Sequence, residues 1–354
     1  MKYMLPPEWA QQSGVQLTWP HRNTDWAECL DDICDTYVAM AAAIADHETL
    51  LVVTPEPAAV AERLRRSLPS ESMARVVMHP CETNDTWARD HGFITLVPAR
   101  HAADEGGGEV VLMDFCFNGW GEKFEADKDN RINRSLYDSG ALNGRYADHL
   151  DFVLEGGSIE SDGHGTVFTT SQCLLAPHRN QPLDRDDIDR RLCQMLCAER
   201  IVWLNHGTLV GDDTDGHIDT IVRVAPDDTL LYMGCDDTED EQYDDFRELE
   251  LQLRGLRTLD GKPYRLLRLP MPRPVFDEQG NRLPATYANF LVTNEAVLMP
   301  TYNQPENDQK ACQTVAAAFP DRRMVPIDSR TIVRQHGSIH CCTMQFPAGV
   351  VKRK

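Results

Sequence analysis

The sequence predicts an α/β fold assembled from five related units, each reading roughly β–β–α–β. Three observations carry that expectation. A strand-like apolar run, a polar turn and a helix-like stretch recur along the chain, with starts 56 to 67 residues apart. Between these runs a Gly-x-Ile signature recurs, in "HGFIT" (91–95), "GGSIE" (156–160), "DGHID" (215–219) and "HGSIH" (336–340). No long linker or low-complexity stretch interrupts the series, so residues 1–354 are expected to form one domain of five repeats.

Taken in order, the strand–turn–helix runs are these. The first is "TLLVVTPEPAAVAERLRRSL" from Thr49, and the second begins "VVLMDFCFNGWGEK" at Val110. The third begins "TVFTTSQCLLAP" at Thr166, the fourth "TLLYMGCDDTED" at Thr229, and the fifth "AVLMPTYNQPEN" at Ala296. Each Gly-x-Ile is expected to open a short strand, because glycine suits a backbone that turns tightly or approaches a ligand. The stretch "ANFLVTNE" (288–295) lacks the glycine and stands as a gap in the pattern. A closed ring of such units would bring the strand starts together around its axis. Those starts carry Asp90, Glu155, Asp215, His217, Asp219, His340 and Cys341, a set rich in catalytic residue types.

Composition narrows the function classes. A formal charge of −21 argues against nucleic acid and anionic membrane surfaces as partners. It would attract a cationic substrate, although solubility alone explains it. No apolar run reaches the roughly 18 residues of a membrane helix, and "MKYMLPPEWAQQ" lacks the apolar core of a signal peptide. Eleven irregularly spaced cysteines without a CxxC pair point to reduced thiols in a cytoplasmic protein. The acidic run 235–250 reads as a loop entering the first turns of a helix.

A cysteine, a histidine and several carboxylates leave three readings open. A thiolate could attack an electrophilic carbon while His217 moves protons. His217, Asp219 and His340 could ligate a metal, since an HxD spacing places both side chains on one strand face. The residues could also be structural: small buried thiols, a satisfied histidine and turn-capping acids. A protease-like triad needs one acid, whereas Asp90, Glu155 and Asp219 are all candidates here. Spare carboxylates suit a planar guanidinium, whose N–H donors they can meet in pairs.

At these residues the chain resembles the agmatine deiminase / bacterial peptidylarginine deiminase-like family. The resemblance runs from end to end, through "LTWPHRNTDW" (17–26), "NDTWARDHG" (84–92), "FNGWGEK" (117–123), "LEGGSIESDGHGT" (154–166), "TDGHIDT" (214–220), "LPATYANFLVTNEAVLMPTY" (283–302) and "GSIHCCTMQ" (337–345). It implies a five-bladed pseudo-symmetric α/β propeller, a pentein of β–β–α–β repeats. It also implies a cofactor-free and metal-free hydrolysis of a small cationic guanidine, most closely agmatine to N-carbamoylputrescine and ammonia. Peptidylarginine, arginine or another guanidine is the alternative substrate, and a non-catalytic macromolecule-binding propeller is a reading from another class.

Carried over residue by residue, the resemblance makes Cys341 the nucleophile and His217 the proton donor and acceptor, with Glu155 orienting His217. It makes Asp90 and Asp219 the clamp on the guanidinium. Trp87 and Trp120 fall in family-like motifs and are expected to wall the substrate channel or pack the core. His340 is expected to point away from Cys341, Cys342 to be a small buried hydrophobe and Asp215 a turn acid. Small multimers are common in the family, which leaves a homo-oligomer open. The chain departs from the family pattern at His336-Gly337, where Gly-Gly is frequent, and in "QQSGVQLTWP". Both departures bear on the choice of guanidine.

Overall fold

A computed structural model describes residues 3–99 and 108–352. Among them are five sheets of three or four strands and one two-stranded hairpin. The five recurring runs each form a central strand: Thr49–Thr54, Val111–Cys116, Thr166–Thr170, Thr229–Gly234 and Ala296–Thr301. Each is followed by a helix, at Pro57–Ser67, Ile132–Asp138, Arg185–Met195, Tyr243–Gly255 and Pro305–Ala316. The chain then returns in a strand parallel to the central one: Val76–Pro80, Arg145–Val153, Arg200–Leu204, Arg265–Pro270 and Arg323–Asp328. These are helical crossovers, the connection that parallel pairing requires.

Local chemistry accounts for the helices. Pro57 and Pro305 occupy first-turn positions, where a missing N–H costs nothing. Asp184 and Asp187 close a reciprocal capping box on Arg185–Met195. The acidic run ends in the helix Tyr243–Gly255, with Asp244 and Asp245 in its first turn and Phe246, Leu249 and Leu253 as the buried stripe. Three central strands, Thr49–Thr54, Thr166–Thr170 and Thr229–Gly234, are buried along their whole length, which is why they read as unbroken apolar runs.

A shorter strand precedes the central strand in four sheets and pairs with it antiparallel: Ile94–Pro98, Ile159–Ser161, Val222–Ala225 and Leu291–Val292. The fifth such strand, Thr343–Pro347, pairs with Gln12–Thr18, which in turn lies parallel to Thr49–Thr54. The end of the chain is therefore stitched into its first sheet. One expectation is corrected at this level. Two of the Gly-x-Ile stretches do open their strands, at Ile94 and Ile159, whereas those at 216–218 and 337–339 sit in tight turns ahead of theirs. Asp90 lies on the one-turn helix Ala88–His91, Glu155 precedes the 3₁₀ turn Gly156–Ser158, and His217 precedes the 3₁₀ turn Ile218–Thr220. His217 and Asp219 consequently do not share a strand face, and Cys341 and Cys342 occupy a turn rather than opposite faces of a strand. No helix among the described residues is long and apolar enough to cross a membrane.

Candidate active site

The lead-in turns meet in a closed circuit of contacts. The Gly157 N–H donates to Asp90 Oδ1 at 3.0 Å, and the same oxygen lies 3.6 Å from His217 Nδ1. Asn289 Nδ2 donates to Asp219 Oδ2 at 3.1 Å, and Asn289 Oδ1 accepts the Cys341 N–H at 3.2 Å. The Arg89 N–H then donates to the Cys341 carbonyl at 3.1 Å, which closes the circuit. Cys341 Sγ lies 3.8 Å from Asp219 Oδ2. Gly157 permits this convergence, since a Cβ there would fall 2.6 Å from His217 Nδ1 and 2.8 Å from Asp90 Oδ1. Asn289 belongs to the stretch that lacks the glycine. That stretch supplies a side chain at the equivalent place, which a glycine signature cannot reveal and the polar residue ahead of each strand does.

The electrostatics are those of a buried, acid-rich cluster. Glu155, His217 and Asp219 are fully buried, and Asp90 and Cys341 nearly so. Burial pushes Asp90 up to about 6, with Asp219 and Glu155 adding to the rise and His217 opposing it. Burial works against a charged imidazole, yet Asp90, Cys173 and Glu155 hold His217 well above its usual value. Asp219 stays below the usual carboxylate value despite burial, because His340, His217 and Arg223 favour its anion. Burial, Asp219 and Asp90 raise the Cys341 thiol well above its ordinary range. The acid nearest His217 is Asp90; Glu155 Oε1 instead accepts from Arg179 Nε at 2.8 Å. Asp219 Oδ1, Glu155 Oε2 and both His217 nitrogens have no hydrogen-bond partner within the protein.

A pocket descends to this cluster with Cys341 and Asp90 in its lining and Trp87 and Trp120 as walls. Trp120 Nε1 donates to Asp90 Oδ2 at 3.0 Å, and Trp87 Nε1 donates to Asp85 Oδ2 at 2.8 Å. The Trp87 ring lies against Gly337, where a Cβ would come within 2.1 Å of Cζ3, so this position before the thiol has no room for a side chain. His336 just before it takes a left-handed conformation, φ 63°, a backbone that glycine adopts without strain. Its ring is held by the Gly211 carbonyl at 2.7 Å. The other acids in the lining are Asp25, Asp85 and Asp213, and no lysine or arginine lines it among the described residues. A larger hollow lined by Glu8, Arg89, Glu160 and Met344 contains neither the thiol nor Asp90.

Around the cluster, His340, Asp215 and Cys342 lie as expected, and Cys173 was absent from the expected set. His340 does not line the pocket; its Nδ1 lies 2.7 Å from Asp219 Oδ2 and its Nε2 2.7 Å from Glu8 Oε1. Asp215 has a left-handed backbone, as a turn acid should, and also pairs with Lys123 at 2.8 Å and Arg179 at 2.7 Å. Cys173, fully buried beside His217 and Glu155, carried no signal because it follows its strand instead of preceding one. Cys342 is fully buried, and burial raises its thiol to about 12 while the Tyr37 hydroxyl beside it pulls the other way.

Known proteins share both the sequence and the fold. A Marinomonas sp. protein provisionally named agmatine deiminase is 32% identical over 98% of this chain and 94% of its own. A Porphyromonas gingivalis crystal structure, provisionally described as an arginine deiminase, superposes with a TM-score of 0.91 at 46% identity. That match covers 99% of this chain and 100% of the other. The C. jejuni agmatine deiminase, as a cysteine-to-serine variant with substrate bound, gives a TM-score of 0.88 at 33% identity, covering 98% and 97%. Sequence and fold thus define a deiminase-like hydrolase of mixed α/β architecture. The chain belongs to the Porphyromonas-type peptidyl-arginine deiminase family, whose model matches residues 4–347.

Proposed function

We propose that the protein is a cysteine-dependent deiminase that converts agmatine to N-carbamoylputrescine and ammonia through a covalent thiouronium. The observation that carries this reading is the company kept by Cys341. Its thiol lies beside the buried carboxylates of Asp219 and Asp90, an arrangement suited to a planar cation. Relatives named as agmatine deiminases support the choice of guanidine, and the pocket chemistry favours the same one. Asp25, Asp85 and Asp213 line it without any lysine or arginine among the described residues. A second cation at the far end of the substrate, such as agmatine's amine, suits that mouth better than the α-carboxylate of arginine.

In this reading Asp90 and Asp219 hold the guanidinium with its carbon against Sγ, and Trp87 and Trp120 wall the channel. The arriving cation offsets the negative field that keeps the thiol protonated, and the thiol proton leaves to solvent as Asp219 and Asp90 stay ionised on the guanidinium. Sulfur adds to the guanidinium carbon, His217 gives its proton to the departing nitrogen, and ammonia leaves. The amidino group remains on Cys341 as a thiouronium. Neutral His217 then takes a proton from water and the oxygen adds; the C–S bond breaks as the hydroxyl of the adduct passes its proton to the departing sulfur, which releases the ureido product and the Cys341 thiol. Glu155 supports the charged form of His217. The closed circuit of lead-in turns also supports a five-bladed propeller forming one domain over residues 1–354. We extend the proposal to a cytoplasmic enzyme that needs no cofactor and leave a homo-oligomer open.

The test is ammonia release measured in parallel on agmatine, arginine, a peptidylarginine and guanidinobutyrate. Release from agmatine with the highest kcat/KM is expected. Release from none of the four, with folded protein, refutes the enzyme reading; preference for arginine refutes the mouth argument alone.

A further inference from the structure

One buried thiol has no part in the reaction above. Cys173 lies on the short helix Ser171–Leu174, directly after the strand Thr166–Thr170. Its Sγ, a carboxylate oxygen of Glu155 and a ring nitrogen of His217 lie within 4.8 Å of one another. All three residues are fully buried, and Glu155 Oε2 and both His217 nitrogens make no hydrogen bond within the protein. One sulfur, one nitrogen and one oxygen donor therefore face a common space.

We propose that Glu155, Cys173 and His217 form a binding site for zinc or a similar soft divalent cation, and that its occupation silences the enzyme. The donor set selects the ion: thiolate and imidazole favour zinc over magnesium or calcium, which prefer all-oxygen sites. Zinc bonds of about 2.0–2.3 Å place tetrahedral ligand atoms about 3.5 Å apart, so atoms within 4.8 Å of one another need to close by about 1.3 Å at most. Two of the ligands already have supporting partners. Arg179 Nε holds Glu155 Oε1 at 2.8 Å, and Asp90 Oδ1 stands 3.6 Å from His217 Nδ1, so a metal on Nε2 would have a carboxylate behind the ring.

The comparable group of Glu8, Glu160 and His340 is a poorer candidate, because Arg89 and Arg223 already occupy its carboxylates. Binding at the Cys173 site displaces the thiol proton, and any proton on the coordinating nitrogen of His217, to solvent. It removes His217 from proton transfer, a consequence that rests on the role given to His217 above. The binding itself does not rest on it.

The test reads binding, not turnover. Zinc titration calorimetry and the thiolate charge-transfer absorption of bound cobalt(II) are measured on the wild type, Cys173→Ser, Cys341→Ser and Glu155→Gln. One metal per chain is expected, with the cobalt–thiolate band retained in Cys341→Ser and lost in Cys173→Ser. Zinc affinity should fall at least about tenfold in Cys173→Ser and Glu155→Gln. A band that survives Cys173→Ser or vanishes in Cys341→Ser overturns the proposal, as does the absence of stoichiometric binding. If Cys173→Ser does not fold, Glu155→Gln decides, since it keeps every thiol; unchanged zinc affinity there also overturns it.

Discussion

Two buried charged clusters lie back to back in this protein, joined by His340, and their charge balance is opposite. In the first, Asp90, Glu155 and Asp219 surround His217 and Cys341, and several of their polar atoms have no partner. In the second, Glu8 and Glu160 face Arg89 and Arg223, with ion pairs from Glu8 to both arginines and from Glu160 to Arg223. The pKa directions report the difference. Burial alone would raise Glu8, but Arg223, His340 and Arg89 hold it well below the usual carboxylate range. Asp90, with less positive charge around it, is pushed up to about 6. Balanced charge marks the second cluster, and unbalanced charge marks the one proposed to receive the substrate cation.

The comparison can be broken most severely on the first side. Asp90→Asn should lower kcat/KM by about 10²–10³-fold, since it removes one of the two charged grips proposed for the guanidinium. The same change should stabilise the free protein at pH 8. Asp90 binds its proton more tightly in the folded than in the unfolded chain, so stability falls as pH rises through about 6. An asparagine at this position does not titrate, and urea unfolding at pH 5 and pH 8 should show the variant's advantage growing with pH. The activity of the wild type should rise with pH through the same region, because the clamp must be ionised.

On the second side the expected effect is on stability. Arg223→Met strands Glu160 as a buried charge and takes one of two arginine partners from Glu8, and should cost about 3–5 kcal/mol in denaturant unfolding. A loss of activity larger than the loss of folded protein would show that the second cluster reaches the chemistry. His340→Gln sharpens that boundary. It keeps a polar side chain but loosens Asp219, and kcat/KM should fall about 10–100-fold, chiefly through KM. An unchanged KM would separate His340 from the clamp. The smallest effect is expected for Cys342→Ala, with kcat within about twofold and a stability loss of about 1 kcal/mol from its packed site.

Much of this was legible in the chain because the fold repeats. Five strand–helix runs located the starts of the central strands to within a residue, and polar residues at matching positions gathered Asp90, Glu155, Asp215, His217, Asp219, His340 and Cys341, from which the family resemblance selected Asp90, Glu155, His217, Asp219 and Cys341. The pattern failed where tertiary contacts, not local sequence, set the backbone. The tight turns holding His217 and Cys341 follow from the convergence of neighbouring turns, and nothing in a Gly-x-Ile signature separates them from a strand start. Asn289 was hidden by the missing glycine. Glu8 could not be seen at all: its contact with His340 spans 332 residues and leaves no periodic trace. The aromatic walls were visible as motifs, but their placement depends on close approaches such as that of Trp87 to Gly337.

In the proposed reaction Cys341 carries the substrate carbon during turnover. Acid quenching of the enzyme in steady state with agmatine, followed by peptide mass spectrometry, tests it most directly. An amidino adduct is expected on the peptide bearing Cys341, with no ammonia release from Cys341→Ala beyond about 10⁻⁴ of the wild-type rate. Full turnover by Cys341→Ala, or an adduct on Cys173 or Cys342 instead, would contradict it.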